Sequence, residues 1–401
     1  MTAALSIAGG TVGHGGRMMP QATSAGVIAA ARARWERWWS GGDDAAISYI
    51  IHPRPGFTFA PVARPWMAPA ITGAWSNWQH ELVLGQALER VARDGDWTPV
   101  EDALDLLVHY HANTTYAGGG YPFYFPGFGA GFLAACISGQ SHFKDTTIWF
   151  ETGRQWSLAE IAALRWHDLT PWCNLCLESL RRVVARVQPH AVIAMPEIGL
   201  PLDVLSALHG NDALCMALID DPEAVEAAEA ALWDLHQRLT AACAAIIAPG
   251  NHGCSTVAMR FLSAGGCDLG SCDFAAMISP RQFARFHLPQ LRDQCATAPG
   301  RVIFHLDGPG LVPHLEHILA VPGLAGIQWV QGAGKPSSLD PCWFPLYRRI
   351  IDAGKKVQLC HADDPEGLAA LFRALPRRHF FVPVSVRCAA EAEVFERVCQ
   401  G

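Results

Sequence analysis

No uninterrupted run of about 18 apolar residues occurs in the chain, so no membrane-spanning helix is expected. The start, MTAALSIAGGTVGHGGRMM, has no basic segment ahead of its apolar residues, and Gly-Gly breaks the apolar run. That pattern is not a secretory signal, and residues 1–25 read as a mobile leader. An excess of positive charge is also missing. Lys and Arg number 30 against 37 Asp and Glu, for a net charge of −7. A nucleic-acid partner needs a basic face, so none is expected. There is no GxGxxG after a first strand and no GxxxxGK[ST], which removes the usual dinucleotide and P-loop signatures. The CxxC pair Cys173–Cys176 has no second pair at zinc-knuckle spacing.

What is abundant is apolar mass. Half of the 401 residues are hydrophobic, with 14 Trp and 18 Phe, far more than a disordered chain carries. The 13 cysteines are odd in number and irregularly spaced. Several sit inside apolar runs, such as Cys136 in FLAACISG and Cys243 in LTAACAAII. They read as small, reduced core residues, which fits the cytoplasm.

The chain divides in rhythm. Residues 26–175 form an irregular helical and loop region. AAARARWERWW (29–39) reads as a helix, and so does TPVEDALDLLVHYHAN (98–113), with Thr98 as cap and Glu101 as its box partner. YAGGGYPFYFPGFGAGF (116–132) has too many Gly and Pro for a helix or central strand and reads as an ordered aromatic loop. From 176 to 401, strand-like runs alternate with helical ones. Strands are expected at 190–197, 253–260, 302–308, 325–330, 356–361 and 380–386. Helices are expected at 220–247, 279–296, 311–321, 342–354, 364–375 and 389–400, with Ser279 capping one and Gly354 closing another. The repeat is of βαβ size, and the strands are continuous apolar runs, as in a sheet covered on both faces. A (β/α)8 barrel with an added N-terminal helical and loop region is the expected fold, and an open doubly wound sheet is the alternative.

In a barrel, the C-terminal ends of strands face the active site. Those ends carry Glu197, then His305 and Asp307, then Gln328 and Trp329, then Cys360 and His361, then Ser385 and Cys388. In VIFHLDGPG (302–310), His305 and Asp307 are two apart on an extended chain and point to one side.

HLDGPG…HLEHILAVPGLAGIQWVQGAG…WFPLYRRIIDAGKKVQL resembles the uroporphyrinogen decarboxylase superfamily, as do RWERWWSG (34–41), MPEIGLPLDVLSALHG (195–210) and CDFAAMISPRQF (272–283). The superfamily includes corrinoid-dependent methyltransferases. The resemblance spans most of residues 30–400 and implies a (β/α)8 barrel. True decarboxylases of the family carry an RQAGR segment for substrate propionates. Here Arg32, Arg34 and Arg37 lie in a Trp-rich helix without that pattern. The methyltransferases are implied to hold zinc through His-x-Cys on one strand and a Cys on the last. His305-Leu306-Asp307 stands in the first place with Asp for Cys, Ser385 and Cys388 stand near the last, and Cys360 ends the strand before. His305, Asp307 and Cys360 are therefore the expected ligands of a divalent metal, zinc first.

Each candidate has a plainer reading. His305 and Asp307 can be a hydrogen-bonded pair fixing the turn. Cys360 can be a core cysteine. His361, Asp363 and Asp364 read as a helix start. Glu197 is either a general acid or base or a carboxylate that fixes its loop. CDLGSCDF (267–274) places Cys272 and Asp273 before a helix, where they can line the mouth and touch substrate. The aromatic loop, with Tyr121 and Phe125, and Trp329 can wall a flat ligand or simply pack.

The reading reached is a metal-assisted methyltransferase with a small-molecule substrate. His305, Asp307 and Glu197 would be catalytic, and Gln328, Trp329, Asp273, Cys272, Tyr121 and Phe125 would bind substrate. The methyl carrier implied by the resemblance is a corrinoid. The chain has no Asp-x-His-x-x-Gly signature for one, so a corrinoid would arrive on a partner protein or bind at the mouth. The alternatives are a metal-free decarboxylase or lyase using Asp307 and His305, and a non-catalytic small-molecule-binding barrel. Oligomeric state is not legible.

Overall fold

The structure is a computed structural model that describes residues 24–42, 44–55, 57, 67, 79–139, 142–144, 147–150 and 152–401. The expected leader, apart from its last two residues, lies outside the described residues.

The strands are β1 (Ile47–Pro53), β2 (Thr114–Gly118), β3 (Phe123–Tyr124), β4 (His142–Lys144), β5 (Thr147–Trp149), β6 (Val192–Ile193), β7 (Ser255–Thr256), β8 (Leu262–Ser263), β9 (Asp268–Ser271), β10 (Val302–Asp307), β11 (Leu324–Val330), β12 (Lys356–Leu359) and β13 (Phe380–Ser385). Seven of them form one sheet in the order β2-β1-β13-β12-β11-β10-β9. Every pairing in it is parallel except β1 with β2. β3 pairs in parallel with β6, while β4 with β5 and β7 with β8 are antiparallel hairpins. The fold is thus mixed α/β around a mostly parallel sheet. Among the described residues the strand pairing does not close into a barrel.

Local chemistry explains most elements. Asp221 caps the helix Pro222–Ile247 by accepting from the Ala224 N–H. Ser279 and Gln282 form a capping box at the helix Pro280–Phe286. The single helix expected at 279–296 breaks at His287, and a second helix, Leu288–Thr297, restarts there. Pro289 is the cause, because it has no N–H to continue the ladder. At the other expected box, the helix begins at Thr98 itself, and the Thr98 hydroxyl donates to Asp96, 2.7 Å away. Trp97 therefore holds the cap position, and no side chain caps this helix.

Two expected strands shrink, to Val192–Ile193 and Ser255–Thr256. Between them the buried Asn251 amide does the work of a strand. Its Oδ1 accepts from the Ile193 N–H at 2.8 Å, and its Nδ2 donates to the carbonyls of Ile193 and Cys254. The aromatic segment 116–132 is not a surface loop. It supplies the end of β2 and all of β3, and Tyr121, Phe123 and Tyr124 are buried. Gly120 permits this, since a Cβ there would lie 2.8 Å from the carbonyl oxygens of Ala117 and Ile50.

The helix Ser24–Trp39 sets which end of the sheet is open. Trp35 donates to the Gly119 carbonyl at 2.8 Å, and Trp39 to that of Leu262 at 2.7 Å. The two rings pack with Ile47, Ile303 and Phe381, which lie at or near the starts of their strands. The N-terminal strand ends are therefore sealed by tryptophan. The C-terminal ends of β10, β11 and β12 carry the polar groups.

Candidate metal centre

Along β10 the side chains alternate. Phe304 and Leu306 are buried, His305 is half-buried and Asp307 is exposed. His305 and Asp307 share one side, as a period of two requires. Gly308 then takes φ +78°, and its N–H donates to the Val330 carbonyl at 2.8 Å. Pro309 opens a 3-10 turn running to His314. The Gly-Pro turn thus ends the strand one residue after Asp307 without burying that carboxylate.

The register lines up a polar row across four parallel strands: Ser271 beside His305, His305 beside Gln328, and Gln328 beside Gln358. The His305 Nδ1 lies 2.5 Å from the Gln328 Oε1. A carboxamide oxygen only accepts, so Nδ1 carries a proton in this contact. Asp273 enters from the turn Asp273–Met277, just after β9. Its place is held by Asp203, in the first turn of the helix Pro201–His209, whose carboxylate accepts from the N–H groups of Asp273 and Phe274 at 3.2 and 2.9 Å. One donor atom each from Asp273, His305 and Asp307 lie within 4.8 Å of one another.

The electrostatics are lopsided. Burial raises the Asp273 carboxyl and the Asp307 charge raises it further, against the pull of His305. Burial also raises Glu197; His305 lowers it and Asp273 adds to the rise. Asp203 is pushed up to about 6, chiefly by burial, with Asp273 and Glu197 contributing. Three carboxylates, Asp273, Asp307 and Glu197, therefore crowd one imidazole, and Asp203 stands behind Asp273. Two of them, Asp273 and Asp307, are open to solvent.

No protein-family model matches this chain, and no curated protein does. A solved structure does match. A methyltransferase from Methanosarcina mazei aligns over 92% of this chain and 97% of its own, with a TM-score of 0.50 and 12% identity. The chain shares its fold with that methyltransferase. At this identity the likeness carries the architecture and not the reaction.

Three cavities lie nearby, and Asp273 is in the wall of one of them. One of about 370 Å³ is lined by Glu197, Asp203, Ser271 and Asp273. Another of about 250 Å³ shares Glu197 and Ser271 and reaches Asp268. A third, of about 440 Å³, includes Gln328, Gln358, Cys360 and Arg260 in its wall. Glu197 thus stands between two cavities and within electrostatic reach of His305.

The other residues singled out in the sequence disperse. Cys360 feels the Asp307 charge, and with burial as the larger cause its thiol is pushed up to about 12. It lies outside the group of three, where Asp273 takes the third place. Cys272 is buried, and burial holds its thiol well above the usual range. Trp329 points into the core against Trp343 at 4.9 Å. The Tyr121 hydroxyl is spent on Thr256, at 2.6 Å, and on the Arg260 carbonyl. Phe125 packs on the core around Trp35. Asp364 caps the helix Pro365–Ala374, while Cys173 and Cys176 are buried in the helix Pro171–Val187. Sequence reasoning passed over Asp203 and Gln358. Asp203 reads as an ordinary first-turn acid. A polar residue inside the apolar run KVQLC was the signal for Gln358.

Proposed function

We infer that this chain is a metal-assisted methyltransferase built on a (β/α)8-type barrel, with Asp273, His305 and Asp307 as the protein ligands of one divalent metal. The convergence of those three donors within 4.8 Å is the observation that carries the reading. Two oxygens and one imidazole nitrogen suit zinc and the other divalent metals that accept mixed N and O donors. The Gln328 contact supports it further, since ligating histidines are normally oriented by a hydrogen bond at the other ring nitrogen. The crowding of carboxylates also supports it, because like charges at close range are relieved by a cation. Zinc is the first metal to test.

A metal held there by Asp273, His305 and Asp307 would lower the pKa of a coordinated thiol, hydroxyl or water. The residues do the rest. Gln328 fixes the imidazole, Asp203 fixes the Asp273 loop, and Glu197 takes up the proton released by the substrate atom. That atom would then accept the methyl group, and the carrier would leave with the bonding electron pair. The cavities of about 250 to 440 Å³ suit a small molecule. A corrinoid carrier would therefore approach on the solvent side, where Asp273 and Asp307 are exposed, delivered by a partner protein.

The barrel reading is supported by pairing beyond the main sheet. β3 runs parallel to β6, and the Met195 N–H donates to the Thr256 carbonyl on β7 at 3.0 Å. The likeness to the fold of a methyltransferase supports the architecture.

The test is methyl transfer from methylcobalamin to a small thiol by zinc-loaded protein. The reading expects turnover that chelation stops and that falls at least a hundredfold in Asp307→Asn. Turnover that is indifferent to both treatments would sink it and return attention to metal-free lyase chemistry.

A further inference from the structure

The cavity of about 250 Å³ lies where strand pairing leaves a gap. β9 is an edge of the seven-stranded sheet, and β7 pairs with β8 rather than with it. Leu269 and Ser271 of β9 line the cavity, and so do Val257 and Ala258, just after β7. Glu197 and, from the helix Pro222–Ile247, His236 complete its chemistry.

The charge in this wall has one sign. Its described residues include Glu197 and Asp268 and no Lys or Arg. The sequence explains the bias, since residues 187–237, which supply Glu197 and His236, hold nine Asp and Glu and no Lys or Arg. Asp268 is spent on the Leu269 N–H and the Gln294 amide. Glu197 is not spent, because no hydrogen bond joins its carboxylate among the described residues. The half-buried Ser271 hydroxyl is uncommitted in the same sense.

His236 is a second, independent pointer to a ligand. It is 7% exposed, and its ring stacks on that of Trp233 at 4.9 Å and 17°. Nδ1 is enclosed and has no partner, so it is not the atom that meets the cavity. Nε2 also has no hydrogen-bond partner among the described residues but is not enclosed, and it is the polar atom the ring offers to the cavity. Burial lowers the imidazole pKa to about 4, so the ring is neutral near pH 7 and adds no positive charge. A carboxylate walled in without a counter-ion is relieved by a cation, and the same charge repels an anion. A neutral imidazole nitrogen beside it suits a hydroxyl group.

We propose that this cavity binds a small organic ammonium that also bears a hydroxyl group, with Glu197 and the Ser271 hydroxyl holding the ammonium and His236 Nε2 the hydroxyl. Glu197 and Ser271 also line the cavity that holds Asp273, and Ser271 lies in register beside His305. The ammonium thus stands next to the proposed metal centre. As a substrate class for the methyltransferase this rests on the metal-centre reading. As a ligand site it does not.

The experiment is calorimetric titration of the full chain near neutral pH, chelated and then zinc-loaded. The ligands are ethanolamine, ethylene glycol, glycolate and ethylamine. Ethanolamine is expected to bind in both states. Neutral ethylene glycol and anionic glycolate are expected to bind at least about tenfold more weakly, and ethylamine, which lacks the hydroxyl, a few-fold more weakly. Glu197→Gln is expected to weaken ethanolamine binding about tenfold or more, and His236→Phe to bring ethanolamine down to ethylamine. Asp307 is not in this wall, so Asp307→Asn is expected to keep the binding. No ethanolamine binding, glycol or glycolate binding as tightly, or full affinity in Glu197→Gln overturns the proposal. Binding lost in Asp307→Asn and kept in Glu197→Gln puts the ammonium among the metal-centre carboxylates and overturns it too. If Glu197→Gln does not fold, His236→Phe decides, and an unchanged preference for ethanolamine over ethylamine there is the contrary result. Zinc uptake is read separately. Ethanolamine binding without any zinc uptake would sink the metal-centre reading alone.

Discussion

His305 and Gln328 face each other in register on adjacent parallel strands, with the imidazole Nδ1 2.5 Å from the amide Oε1. The contact places the proton on Nδ1, and one ring nitrogen of His305 lies within 4.8 Å of oxygens of Asp273 and Asp307. Outer partners of this kind are worth 10- to 100-fold in metal affinity, roughly. Gln328→Leu should therefore weaken zinc binding by about that factor while leaving the fold intact. A competition titration against a chromophoric chelator reads it directly. Equal affinity in the variant would mean that the glutamine only fills space.

Asp268 gives a pH signature away from the metal centre. Its carboxyl accepts from the Leu269 N–H and the Gln294 amide, and burial pushes it up to about 6 from 3.8. A carboxyl whose folded pKa is raised keeps its proton longer in the folded state. Stability is then full below about 4 and declines as the pH rises toward 6. Asp268→Asn removes that decline. The Asn oxygen keeps the Leu269 bond, and its nitrogen can face the unpartnered Gln294 oxygen once that amide turns. The variant should gain on the order of 2 kcal/mol relative to wild type between pH 4 and pH 7, roughly, allowing for partial solvent screening. Urea unfolding at the two pH values checks it, and parallel curves would contradict it.

Trp35 closes the far end of the sheet. It is fully buried, donates to the Gly119 carbonyl and meets Phe381 edge-on at 4.8 Å. Trp35→Ala should cost about 3 to 5 kcal/mol through the cavity it leaves. Trp35→Phe, which loses the hydrogen bond but keeps most of the volume, should cost clearly less. If denaturant midpoints place the two variants together, packing at this end is not what holds the strand starts.

Gly326 lies where β11 passes β12. A Cβ there would sit 2.5 Å from the Lys356 carbonyl oxygen, a contact that only backbone movement relieves. Gly326→Ala should destabilise by about 1 to 3 kcal/mol. Because β11 carries Gln328, zinc affinity should fall with it. A stable variant with unchanged zinc affinity would show that the two strands can separate at no cost.

Much of this was legible in the amino-acid order. The helices at 222–247, 365–374 and 389–400 fall within the runs expected for them, and β10 to β13 lie where the apolar runs end in polar residues. The losses have physical causes. Asn251 replaces strand pairing with a side-chain amide, which no periodicity reveals. The helix begins at Thr98 itself, so Trp97 and not Thr98 holds the cap position. At the candidate site, the β10 pair His305 and Asp307 could be read from spacing alone. Their meeting with Asp273 could not, because it depends on Asp203 gripping the Asp273 backbone from a helix 70 residues earlier. Cys360 was the expected third donor, and only the tertiary arrangement brings Asp273 into that place.

The most direct measurement is zinc stoichiometry by elemental analysis after metal loading and dialysis, on the wild type and on Asp273→Asn, His305→Ala and Asp307→Asn. One zinc per wild-type chain, lost in all three folded variants, is the result the account predicts. No retained metal in the wild type, or a full complement in the Asp273 and His305 variants, would contradict it.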